Sequence, residues 1–116
     1  MKLWHLKTCD TCRKAIKILR EAGHEPELID LRAGGIDAAT IERLMTAVGR
    51  DVLLNTRSTT WRGLDDADRA DLDDAKAVAL MAAHPTLIKR PVIEVDDVVH
   101  VGWTKAVQSA LLSPLP

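Results

Sequence analysis

Cys9-Asp10-Thr11-Cys12-Arg13-Lys14-Ala15 is the stretch on which the fold turns. An apolar run, Leu3, Trp4 and Leu6, precedes it, and Ile16, Leu19 and Ala22 follow at helical spacing. The pattern predicts a strand, a tight loop and a helix from about Asp10 to Ala22, with a Cys-x-x-Cys pair at the helix entrance. A helix start presents unpaired backbone N–H groups and about half a positive charge, which stabilises a thiolate. Arg13, Lys14 and Lys17 add cations on the first turns. Cysteines in such settings have pKa values of roughly 3.5–7.5 in place of about 8.5. Cys9, the outer sulfur, is then the attacking one, and Cys12, one turn on and deeper, is placed to close a disulfide with it. Two plainer readings stand beside this one: a pair of small buried hydrophobes, or half of a zinc site. Zinc needs about four ligands, and His5, His24, His84 and His100 are scattered singly, with no second Cys-x-x-Cys.

The chain has 116 residues, 47% of them hydrophobic, and a net charge of −1. That fits one globular domain with a core of its own. The charge balance makes no case for nucleic acid or an anionic membrane. Met1-Lys2 leads into a strand with no signal-peptide core, and no run is long enough to span a bilayer. The expectation is a cytoplasmic monomer, where a Cys-x-x-Cys pair is catalytic more often than structural.

Outward from the cysteines, Lys2 to Leu6 reads as the first strand and Glu25 to Leu31 as a second, with Gly23 ending the helix between them. Strand, helix, strand at this length is a βαβ unit with parallel strands. Gly34-Gly35 marks a turn, and Asp37 caps a helix carrying Ile41, Leu44, Met45 and Val48 on one stripe, stopped by Gly49. Val52-Leu53-Leu54 reads as a further helical turn. Asn55-Thr56-Arg57-Ser58-Thr59-Thr60-Trp61-Arg62 is polar and rich in hydroxyls. It is either a solvated loop whose hydroxyls cap the next helix or an active-site wall offering Arg57 to an anion. Residues 65–74 hold six aspartates and one Arg, without the glycine and terminal glutamate of a calcium loop. They read as a solvated face ahead of a helix through Ala75, Val78, Ala79 and Ala82 that ends before Pro85. The run from Leu87 to Val95, then Asp96-Asp97, then Val98 to Val101 reads as a β-hairpin with an aspartate turn. A last helix spans Trp103 to Leu112, with Val107, Ala110 and Leu111 inward, and Pro114 and Pro116 close the chain. Pro91 opens a strand, where a proline is unusual unless its geometry is wanted.

The order is βαβ, an all-helical insertion over about residues 37–84, then ββα. With Cys-x-x-Cys after the first strand and a proline opening the third, the chain resembles the thioredoxin fold: α/β, with a mixed four-stranded sheet. More narrowly it resembles the arsenate reductase (ArsC)/Spx family. Three blocks carry the likeness: Cys9 to Ala15, Leu53-Leu54-Asn55-Thr56-Arg57-Ser58-Thr59-Thr60-Trp61-Arg62, and Leu87-Ile88-Lys89-Arg90-Pro91. The middle block is most similar to the bacterial YffB branch, regarded as glutathione-dependent thiol reductases.

The resemblance implies that Cys9 is the nucleophile, that Arg90 helps bind an anionic substrate, and that Pro91 is a cis-proline. Cys12 joins Cys9 and Arg90 as an expected catalytic residue, while Lys7, Thr11, Arg57 and Pro91 are expected to hold substrate or glutathione. Glutathione enters as co-substrate with no bound cofactor and no metal; a small thiol or disulfide, glutaredoxin or thioredoxin are the implied partners. Two departures bear on the reaction. Arsenate reductases of this type use three arginines, and this chain has Asp51 beside Arg50 at one of those places and Gly102-Trp103-Thr104 at another. Cys12 has no counterpart in the arsenate enzymes but does in the Spx regulators. Three functions follow: a thiol–disulfide reductase using glutathione, an arsenate reductase, or a redox-switched protein that binds RNA polymerase.

Overall fold

The computed structural model describes residues 1–34 and 36–112. Gly35, Pro114 and Pro116, all singled out in the sequence, lie outside the described residues. In chain order the elements are β1 (Lys2–His5), α1 (Asp10–Glu21), β2 (Glu27–Asp30), α2 (Ala38–Val48), α3 (Arg50–Leu53), α4 (Thr59–Arg62), α5 (Asp66–Arg69), α6 (Asp74–Ala83), a 3-10 turn (Pro85–Leu87), β3 (Val92–Val95), β4 (Val98–Val101) and α7 (Lys105–Leu112). The described residues fall into two compact units, one of residues 1–30 and 90–112, the other within 31–89.

The first unit holds all four strands, in the order β2-β1-β3-β4. β1 runs parallel to β2, with Leu3 opposite Leu28, and antiparallel to β3, with Leu3 opposite Ile93. The sheet is therefore mixed, as the sequence implied. β3 and β4 form the hairpin, whose Asp96 and Asp97 sit at φ 50° and 65°. A two-residue turn of this hand needs positive φ at both central positions, which aspartate tolerates better than most residues.

Helix α1 covers the sheet because its apolar residues recur at helical spacing. Ile16 and Leu19 pack with Leu3 and Ile93 into one buried cluster, flanked by Met1, Val95, Trp103, Leu111 and Leu112. Leu19 is wholly buried. Leu19→Ala is therefore expected to destabilise the protein by roughly 2–5 kcal/mol, the range for deleting a buried leucine side chain. Urea unfolding checks it, with the midpoint lowered and the slope unchanged.

The second unit is helical. α2 packs its buried Ile41, Leu44 and Met45 toward α6, whose buried residues are Ala77, Leu80 and Met81. Asp37 and Asp73 cap these helices, accepting from the Thr40 and Lys76 N–H groups at 2.8 Å each. Losing the Asp73 cap by substitution with alanine is expected to cost about 1 kcal/mol, again read by urea. Hydrogen bonds from the Thr40 hydroxyl and N–H hold the Asp37 carboxyl below the usual range. Its support for α2 is thus present above the unfolded carboxylate pKa of about 4 and fades as pH falls through the lower folded value.

Several expectations are corrected. Ala22 and Ala110 are exposed, although both lie on the apolar spacing of their helices; a methyl group is too small to demand burial. α7 starts at Lys105, because the Thr104 hydroxyl accepts from the Val107 N–H at 3.2 Å and caps it there. Leu87 and Ile88 are not a strand. Pro85 opens a 3-10 turn, and only an isolated bridge joins Ile88 to Leu54. Within residues 55–62 the structure contains α4, with Ser58 accepting from the Trp61 N–H at 3.1 Å.

Candidate active site

Cys9 is the N-cap of α1. Its N–H donates to the Leu6 carbonyl at 3.1 Å, closing the loop after β1, and its carbonyl accepts from the Arg13 N–H at 3.1 Å. The extended backbone of Cys9 turns its sulfur back over the helix start, where Sγ accepts from the Cys12 N–H at 3.4 Å. A sulfur thus occupies the place of a capping oxygen. Cys9 is half-buried and Cys12 has no exposed surface; both are free thiols.

The two sulfurs sit in opposed environments. Burial alone would push the Cys9 thiol up. Hydrogen bonds from the Cys12 backbone and side chain, and then the hydrogen bond and charge of Arg90, outweigh it and hold the thiol below its ordinary value. Burial pushes the Cys12 thiol up to about 12, and the neighbouring Cys9 reinforces this. The two thiols are thus shifted in opposite directions, Cys9 down and Cys12 up, with the Cys12 thiol donating to the Cys9 sulfur.

Arg90 reaches Cys9 from the far side of the sequence. It stands at the start of β3, and the Arg90-Pro91 peptide bond is cis. Pro91 is buried, and its carbonyl accepts from the Gly102 N–H at 2.8 Å, which ties it to the end of β4. The same sheet that sets Leu3 against Ile93 thus sets the loop after β1 beside the residues before β3.

Of the residues singled out in the sequence, Cys9, Cys12 and Arg90 come together, with Pro91 next to Arg90 in the chain. Lys7 and Thr11 are exposed, each two residues from Cys9. Arg57 is exposed in the other unit, where its N–H is bonded to the Asn55 side chain at 3.0 Å. One expectation is overturned. The lowering at Cys9 comes from Cys12 and Arg90, not from Arg13, Lys14 and Lys17. Arg13 instead pairs with Asp10 on its own helix turn. Arg50, which stands beside Asp51, directs its guanidinium to Asp74 and to the Leu72 carbonyl, both at 3.3 Å. The helix-start N–H expected to support the Cys9 sulfur is that of Cys12, at the three-residue offset of an N-cap.

A family model described as "ArsC family" matches residues 4–110. The chain belongs to the ArsC family. An uncharacterized protein of Haemophilus influenzae is 41% identical over 103 residues, 89% of this chain and 90% of that one. A Rhizobium meliloti protein named arsenate reductase is 30% identical over 95 residues, 78% of this chain and 66% of its own length. Among solved structures, one described as YFFB (PA3664) protein superposes with a TM-score of 0.91 at 40% identity, covering 97% of this chain and 98% of that one. An arsenate reductase (ArsC) related protein from Brucella melitensis gives 0.75 at 37% identity, covering 94% and 91%. These likenesses agree with the thioredoxin-like α/β fold built above from β1, α1 and the hairpin.

Proposed function

We propose that the protein is a thiol–disulfide reductase that uses glutathione as its reductant. The observation that carries this reading is the pairing of a lowered Cys9 with a raised Cys12 beside Arg90. In the first step the Cys9 thiolate attacks one sulfur of a substrate disulfide. The substrate S–S bond breaks, the leaving thiolate takes up a proton, and a mixed disulfide remains on Cys9. That step removes the Cys9 negative charge, one of the causes that hold the Cys12 proton in place. Cys12 then loses its proton and attacks the Cys9 sulfur, closing the Cys9–Cys12 disulfide and releasing the second substrate thiol. Two glutathione thiols reduce that disulfide and leave as glutathione disulfide, so the two electrons gained by the substrate come from glutathione. Arg90 supports the thiolate and offers a cation to a carboxylate of glutathione or substrate.

The test is turnover of a glutathionylated small disulfide coupled to glutathione, with Cys12→Ser beside wild type. The reading expects glutathione-dependent turnover in wild type and a mixed disulfide on Cys9, visible by mass spectrometry, accumulating in Cys12→Ser. No exchange in wild type would overturn it.

The name carried by the Rhizobium relative favours a second reading, arsenate reduction at the same cysteine. An oxyanion needs several cations, and Arg50 is held by Asp74 within its own unit. Under this second reading millimolar arsenate protects Cys9 from alkylation. Under the thiol reading it does not.

A further inference from the structure

A groove of about 460 Å³ runs along the outer face of α1, lined by Arg13, Ile16, Lys17, Arg20, Glu21 and Leu28. Its floor is apolar. Ile16 belongs to the core cluster, and Leu28 is 37% exposed. Leu28 stands on β2, the edge strand of the sheet, and among the described residues no further strand pairs with it on that side. Its rim is cationic: three of the six lining residues are basic and one is acidic, in a chain whose net charge is −1. Arg13 is already paired with Asp10, which leaves Lys17 and Arg20 as the cations that give the groove its sign.

The groove lies along the helix that Cys9 caps. Its first residue, Arg13, donates its N–H to the Cys9 carbonyl, so the groove begins one turn from Cys9 and follows the same helix. From Arg13 to Glu21 it extends about 12 Å at 1.5 Å per residue. That length accepts roughly four residues of extended chain at about 3.3 Å each.

We propose that this groove docks an acidic segment of a partner protein, with an apolar side chain on Ile16 and Leu28 and carboxylates on Lys17 and Arg20. Resting on the reductase reading above, the docked partner is the protein whose disulfide Cys9 attacks. The groove then confers preference for acidic protein disulfides, while a small disulfide needs only Cys9, Cys12 and Arg90. Charge complementarity selects an acidic partner over a basic one and makes docking salt-sensitive, since charges on an exposed rim are screened within about 10 Å at 0.1 M salt.

The experiment separates docking from chemistry. Docking is read by fluorescence anisotropy with a labelled peptide that has two glutamates around a leucine and no cysteine, against a lysine-for-glutamate control. The expected result is saturable binding of the acidic peptide, at least tenfold tighter than the control, weakened several-fold between 50 and 300 mM salt. Arg20→Glu/Leu28→Thr should reduce it at least tenfold while leaving turnover of a small glutathione disulfide unchanged. Equal binding of both peptides, or no binding by wild type, overturns the proposal even if the variant fails to fold. So does binding to anionic vesicles without binding to the acidic peptide, or concentration-dependent self-association abolished by the same variant. Loss of small-disulfide turnover in wild type overturns the reductase reading instead, and leaves the binding arm to be judged by itself.

Discussion

Cys9→Ser is expected to lose at least ~10³-fold of the disulfide-exchange rate while the protein stays folded. A serine hydroxyl is not ionised at neutral pH and is a poor nucleophile toward a disulfide sulfur. The fold should not suffer, because Cys9 is half-buried and acts as the N-cap of α1, accepting from the Cys12 N–H. Serine is among the preferred N-cap residues, so the variant should match or exceed wild-type stability. The paired readout is exchange kinetics and urea unfolding on one preparation. A folded variant that retains exchange would place the nucleophile elsewhere.

Arg90→Met is expected to slow reaction at Cys9 about tenfold at pH 7 and to regain much of that loss at pH 9. Arg90 donates a hydrogen bond to the Cys9 sulfur and adds its charge. A hydrogen bond to a charged group contributes about 1.5–3 kcal/mol, and solvent at the half-exposed sulfur argues for the lower end. The sign follows from the charge. Removing a cation disfavours the thiolate, so the midpoint of the pH–rate profile moves up and the deficit shrinks where the thiol ionises anyway. Methionine keeps much of the side chain's length, and the pH rescue separates an electrostatic loss from a structural one. A deficit constant from pH 6 to 9 would mean that Arg90 acts through packing alone.

Much of this was legible in the chain because local signals and tertiary demands coincide at the cysteines. Leu3, Ile16 and Leu19 repeat at the periods of a strand and a helix, and the structure buries all three in one cluster. Asp96-Asp97 supplied turn chemistry between two β-branched runs and indeed forms the hairpin turn. The failures share a cause. Leu87-Ile88 is apolar and short, so periodicity could not separate a strand from a turn; Pro85 decided it. Ala22 and Ala110 lie on apolar spacing, but their small side chains leave burial to whatever stands opposite.

Cys9 at the start of α1 was legible in the chain, and the cation beside it was not legible from spacing. Cations close in sequence, Arg13 and Lys14, looked like the thiolate's partners. Yet Arg13 folds back on Asp10, and the cation that reaches Cys9 is Arg90, eighty-one residues on, delivered by the pairing of β1 with β3. Long-range strand register is what a spacing argument does not contain. The same holds for Arg50: its ion pair with Asp74 joins α3 to α6, a packing invisible in either segment alone.

Folding lowers the Cys9 thiol from its ordinary value and raises that of Cys12. The most direct test is the pH dependence of iodoacetamide alkylation, followed at each cysteine by mass spectrometry between pH 5 and 10. The account predicts a single rise at Cys9 centred below the ~8.5 of a free cysteine, with Cys12 unmodified across the range. A Cys9 midpoint at or above that value, or equal labelling of Cys12, would contradict it.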